Sequence, residues 1–132
     1  MYMLDTDICI YIIKNKPQKV LTHFQQLQPG DICLSAITFA ELINGAKKSS
    51  RIEENTAKLT ELAELLTIQP FDQKAALTYG DVRSTLEKKG EIIDSNDLLI
   101  AAHALSMDCI LVTNNEKEFN RVDGLKTENW VR

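Results

Sequence analysis

The chain is poor in residues that break or staple structure. Its 132 residues include only 5 glycines and 3 prolines, too few for a long linker or a low-complexity tract, and no fixed-period repeat is present. No apolar run approaches the roughly 20 residues that span a bilayer. The N-terminus lacks a basic stretch ahead of an apolar core, and Asp5 interrupts the first apolar run, so no signal peptide is expected. Cysteine is scarce and odd in number. Cys9, Cys33 and Cys109 lie far apart, each beside isoleucine or leucine, with no C-x-x-C pair. That argues against a disulfide framework or a thiolate metal site and for small buried hydrophobes in a reducing cytoplasm. An excess of basic charge is also missing. The net charge of -4 argues against a protein that coats nucleic acid by bulk electrostatics, while leaving a local basic patch open.

What is present is an ordinary globular mix, 44% hydrophobic and 26% charged, of a length that fits one domain over residues 1–132 with a real core. Residues 2–5 read as a short buried strand. Residues 7–14 are apolar enough for strand or helix, with Thr6 or Asp7 available as a helix cap. Pro17 suits a helix start, and Val20, Leu21, Phe24 and Leu27 recur at helical spacing before Pro29-Gly30. Residues 32–36 read as a second strand. A helix follows with Phe39, Leu42, Ile43 and Ala46 on one face, and Thr38-x-x-Glu41 has capping-box spacing. A further helix fits 51–66 and a short strand 66–70. A long helix runs from Asp72 to Gly90, and a mostly apolar one covers 94–105. The β-branched run 109–113 is the last clear strand. This alternation predicts an α/β fold of three layers, a central mainly parallel sheet flanked by helices.

In such sheets, sites form beyond the carboxyl ends of the strands. Asp5 and Asp7 follow the first strand, Glu41 lies on the helix after the second, and Asp97 on the helix before the last. Thr113, Asn114, Asn115, Glu116 and Glu118 follow the last strand. Asp97 is the most informative. It shares a helix face with Ile100, Ala101, Ala104 and Leu105, and burying an unpaired carboxylate there is costly unless something compensates. Asp94 and Ser95 are better placed to cap that helix, which favours a site role for Asp97. Asp5 reads equally well as a turn or cap residue and as a site residue. Glu41 lies off the apolar face and reads as solvated or capping. Converging carboxylates take up protons or bind a hard cation. Oxygen donors without histidine or thiolate select Mg²⁺ or Mn²⁺ over zinc, and phosphodiester hydrolysis is the natural chemistry. His23 and His103 read as structural.

The segments LDTD (4–7), ITFAELINGA (37–46), NDLLIAAHAL (96–105), LVTNNEKEF (111–119) and GLKTENW (124–130) resemble the PIN-domain toxins of the VapC family. The resemblance covers nearly the whole chain, and the blocks together are highly specific. It implies a PIN-like fold and a Mg²⁺- or Mn²⁺-dependent endoribonuclease in the cytoplasm. It also implies a VapB-type antitoxin that blocks the site, a homodimer, and larger toxin–antitoxin complexes. Initiator tRNA, cut in the anticodon loop, is the candidate substrate. Carried over by motif, Asp5 and Asp97 are acids and metal ligands, Glu41 is the second acid, and Glu118 replaces the acid that many relatives carry near Asn115. Thr113 and Asn115 then supply hydrogen bonds. Asp7 stands where relatives commonly carry asparagine, as a modulator. Lys14, Lys16, Lys47, Lys48 and Arg51 are candidates for phosphate contact, against the plainer reading of solvated helix faces. Two rivals remain: a PIN-like binding module without catalysis, and a receiver domain, which would want a lysine after the last strand that TNN lacks.

Overall fold

A computed structural model describes residues 1–132. The elements in chain order are β1 (Tyr2–Leu4), α1 (Thr6–Ile13), α2 (Gln18–Gln25), β2 (Ile32–Ser35), α3 (Ala36–Lys48) and α4 (Ile52–Leu65). They continue with β3 (Thr67–Gln69), α5 (Gln73–Lys89), α6 (Ser95–Ser106), β4 (Ile110–Val112), α7 (Glu116–Phe119) and β5 (Lys126–Glu128). The five strands form one sheet in the order β3-β2-β1-β4-β5, with every pairing parallel.

Side chains on a strand alternate between faces, so each strand feeds two cores. Met3, Cys33 and Leu111 point to one side, where they meet Val82 and Leu86 of α5, Ile100, Ala101 and Ala104 of α6, and Phe119. Leu4, Ile32, Leu34 and Val112 point to the other, against Ile8 of α1, Val20 of α2, Leu42 of α3 and Leu59 and Leu62 of α4. The expected three layers follow directly from this period of two. All three cysteines are free and buried, and burial pushes the Cys33 thiol up to about 12. No helix is long and apolar enough to cross a membrane.

Several local expectations are corrected. Residues 6–13 are helix, and the cap is Asp5 rather than Thr6 or Asp7: its Oδ1 accepts the Thr6 N–H at 2.8 Å. The capping box at Thr38 does not form. Ser35, the last residue of β2, caps α3 by accepting the Ile37 N–H at 3.1 Å. Thr38 therefore falls inside the first turn, fully buried with its hydroxyl unpartnered. The segment 109–113 is not the last strand. β5 adds to the sheet edge beyond β4, and its Lys-Thr-Glu sequence gives no apolar alternation because an edge strand is half solvated. Asp72 and Gly90 do cap α5 as expected, Gly90 in the left-handed conformation at φ 68°.

The C-terminal segment closes one core. Trp130 is 1% exposed, stacks on His23 with ring centroids 5.5 Å apart, and lies 6.1 Å from the Tyr2 ring. Its indole N–H donates to Glu128 Oε1 at 3.0 Å. His23 is thus structural. Trp130→Ala should destabilise the protein by about 3–5 kcal/mol, read by urea unfolding followed by circular dichroism. A loss under about 1 kcal/mol would mean that the tail does not close this core.

Candidate active site

From β1 the chain works outward through β2 to β3, then returns to place β4 on the other side of β1. This reversal opens a crevice beyond the carboxyl ends of β1 and β4, where open α/β sheets bind ligands. Asp5 and Thr113 are the first residues past those two strands, and Leu4 pairs in register with Val112. They bond to each other: the Thr113 hydroxyl donates to Asp5 Oδ2 at 2.7 Å, and the Asp5 N–H donates to the Val112 carbonyl at 2.9 Å. Asp5 therefore caps α1 and at the same time stands with its second oxygen at the carboxyl edge of the sheet. Asp7 ties the start of α1 to the loop after β4. Its Oδ1 accepts the Ile8 N–H at 2.7 Å and its Oδ2 the Asn114 N–H at 3.2 Å.

Glu41 is not a capping residue. With α3 capped at Ser35, it points inward, where Oε1 accepts the Thr6 hydroxyl at 2.9 Å and Oε2 the Asn96 amide at 3.1 Å. Asp97 sits half-buried in the first turn of α6, whose cap is Asp94. Glu118 accepts the Asp94 N–H at 2.6 Å and the Asn115 amide at 2.8 Å. Asn115 in turn donates its N–H to Thr113 Oγ1 at 2.9 Å. Asn96 is not anticipated by the sequence, and the contacts of Thr6, Asp94 and Asn114 exist only once distant segments meet. His103 is buried, with Nδ1 2.7 Å from Ser35 Oγ, and burial lowers its pKa.

The acids are crowded. Burial pushes Asp5 up to about 7, helped by the charges of Asp7 and Glu41 against the hydrogen bonds of Thr113 and Thr6. Asp97 is also pushed to about 7, by burial and then by Asp5, Glu118, Asp94 and Glu41. Asp7 is raised by burial as well. Glu118 goes the other way, held down chiefly by the Asp94 N–H. The charges that act most strongly on Asp5 and Asp97 are all those of other acids.

The donor set is therefore all oxygen and acidic. No three of these groups converge as a ready-made metal cage. Asp5 and Asp97, two crowded carboxylates, could hold Mg²⁺, which commonly takes one or two carboxylates and keeps several waters. It does not fit zinc, which wants a closed set of nitrogen or sulfur ligands.

Folding favours the protonated form of a carboxyl whose pKa is raised. That stabilisation is complete below about pH 4 and is lost as pH rises through about 7. Asp5→Asn keeps a good cap and removes the charge. In chelator-treated protein, the melting temperature of this variant relative to wild type should climb steadily from about pH 4 to about pH 8 and exceed it by several degrees at the upper end. A constant difference across that range would contradict the crowding.

Residues 2–125 match the PIN domain family. The ribonuclease VapC2 of Haemophilus influenzae is 48% identical over 130 residues, 98% of either chain. The tRNA(fMet)-specific endonuclease VapC of Shigella flexneri is 43% identical over 129 residues, 98% of this chain and 97% of that one. In three dimensions the fold is similar to a chain of VapBC2 from Rickettsia felis, bound to a DNA fragment from their promoter, with a TM-score of 0.92, 43% identity and 98% coverage of both chains. Sheet order, acidic edge and sequence thus point one way, and the chain belongs to the PIN-domain family and, within it, to the VapC ribonucleases.

Proposed function

We propose that this protein is the toxin of a cytoplasmic toxin–antitoxin pair and hydrolyses an RNA phosphodiester with a hard divalent cation, Mg²⁺ or Mn²⁺, held by Asp5 and Asp97. The observation that carries this reading is the crowding of acids at one sheet edge, where Thr113 holds Asp5 and Thr6 and Asn96 hold Glu41, with Asp5 and Asp97 both pushed up to about 7 by burial and by neighbouring acids. When bound, such a cation stabilises charge on phosphoryl oxygens and acidifies a water.

The remaining work falls to the side chains of the edge. Thr113 fixes the orientation of Asp5 through its hydroxyl. Glu41, steadied by Thr6 and Asn96, is an oriented acceptor for a proton of the attacking water. Glu118 stays ionised because the Asp94 N–H holds its pKa down, so it supplies the fourth negative charge in place of an acid at Asn115. The water oxygen forms a bond to phosphorus as Glu41 takes its proton, the ester P–O bond breaks, and the departing oxygen takes up a proton from solvent.

The target is a single-stranded loop rather than a long duplex, since an unstacked loop can enter a crevice with few basic groups. The name of the Shigella flexneri relative specifies tRNA(fMet), and initiator tRNA cut in the anticodon loop is the substrate proposed here. The partner is a VapB-type antitoxin, in line with the VapBC complexes to which the fold is similar; the toxin is a homodimer, and it is held inactive in a larger complex with that antitoxin.

Asp97→Asn should keep the fold, read by circular dichroism, and lower cleavage of initiator tRNA more than about 100-fold. Chelation should abolish wild-type cleavage and Mg²⁺ restore it. Undiminished cleavage by the variant, or wild-type cleavage indifferent to chelator, would remove Asp97 or the metal from the reaction.

A further inference from the structure

The groove that leads away from the acidic edge over α1 is not used by any step above. It begins at Thr6 and Glu41, in a cavity of about 360 Å³ walled by Ile10, Lys14, Lys58 and Leu59. A second cavity of about 320 Å³ shares Ile10 and Lys14 with the first and adds Tyr11, Lys16 and Pro17. The two cavities adjoin at Ile10 and Lys14, so a strand that crosses this shared wall would follow one channel over the outer face of α1. Asn15 turns the chain at the far end with a φ of 58°, a left-handed conformation that asparagine tolerates. That turn brings Lys14 and Lys16 to the same channel.

We propose that this channel is the path of the RNA strand, with Lys14 and Lys16 holding backbone phosphates and the Ile10–Tyr11 wall receiving an unstacked base. The proposal rests on the RNA-cleaving reading given above. Charge is the main argument. Both lysines are exposed, and neither is among the cations held in ion pairs, which are Arg51, Lys58, Arg83, Lys89, Lys126 and Arg132. In a chain of net charge -4, two free ammonium groups flank a channel whose inner end is closed by Thr6 and Glu41. An anionic strand gains at the lysines, and a cation held by the acids would favour the scissile phosphate at the inner end. The apolar wall fits the same occupant. Ile10 is 38% exposed, and the half-buried Tyr11 is anchored by its hydroxyl, which accepts from the Asn114 amide at 3.3 Å. A fixed aromatic beside phosphate-binding cations is the usual platform for a splayed base. Of the five basic residues singled out in the sequence, Lys14 and Lys16 are thus given a task, whereas Lys47, Lys48 and Arg51 are exposed and line neither cavity.

The test compares K14A/K16A with K74A/K88A, which removes the same charge from exposed positions on α5. Each full-length protein is assayed with Mg²⁺ on an anticodon stem-loop of initiator tRNA over a range of salt. For K14A/K16A, KM should rise about tenfold with kcat within about twofold. The slope of log(kcat/KM) against log salt should flatten by about 1.4, about 0.7 for each single-strand phosphate that a lysine no longer neutralises. K74A/K88A should match wild type in both. Equal effects of the two variants, or an unchanged slope for K14A/K16A, would overturn the channel while wild-type cleavage leaves the ribonuclease reading intact. So would a K14A/K16A protein that cleaves normally but binds its antitoxin more weakly, since the channel would then belong to the antitoxin. Wild-type protein that neither binds nor cuts the stem-loop would overturn both readings at once.

Discussion

The hydrogen bond from the Thr113 hydroxyl to Asp5 holds the acidic edge together. It exists because β1 and β4, far apart in sequence, pair in parallel with Leu4 beside Val112. From that bond a line of contacts runs outward. Asp5 caps α1, the first residue of α1 is Thr6, Thr6 donates to Glu41, and Glu41 accepts from Asn96, the neighbour of Asp97. Four segments are thus fixed relative to one another by neutral donors, each too weak to neutralise the acids it holds. That is the arrangement a cation-binding site needs: fixed carboxylates whose charge is left uncompensated.

The magnitudes show why the arrangement is costly. Asp5 is 5% exposed and its pKa rises from 3.8 to about 7, on the order of 4 kcal/mol disfavouring the charged form. Hydrogen bonds to a charged group return about 1.5–3 kcal/mol each, and here they reduce the penalty without removing it. The stability that tolerates this lies in the two cores on either face of the sheet. Function is concentrated at the switch point because only there do two strand ends and the starts of α1 and α6 meet.

Much of the fold was legible from residue patterns, because buried parallel strands and capped helices leave periodic marks. Asp72 and Gly90 delimit α5 in sequence as in space. Asp97 was legible for a different reason: an acid on a small apolar face contradicts its surroundings, and contradictions of that kind mark sites. Glu41 was not. Its isolated environment looks solvated, and its role depends on Thr6 and Asn96, which lie 35 and 55 residues away. β5 was equally hidden, since a polar edge strand of Lys, Thr and Glu has no apolar pattern to read. The cap of α3 was misplaced because Thr38-x-x-Glu41 carries the right spacing, yet Ser35 at the strand end takes the position first. The rule that sites form beyond strand ends grouped the distant acids, and resemblance to the VapC toxins added the role it implies for each.

The central claim is that Asp5 and Asp97 are held partly protonated near neutrality until a divalent cation takes the place of those protons. Mg²⁺ binding measured by isothermal titration calorimetry at about pH 7, in buffers of different ionisation enthalpy, tests it most directly. The structure predicts release of on the order of one proton per Mg²⁺ bound, falling towards zero in Asp5→Asn/Asp97→Asn protein together with the affinity. Binding without proton release, or equal binding by the doubly substituted protein, would contradict it.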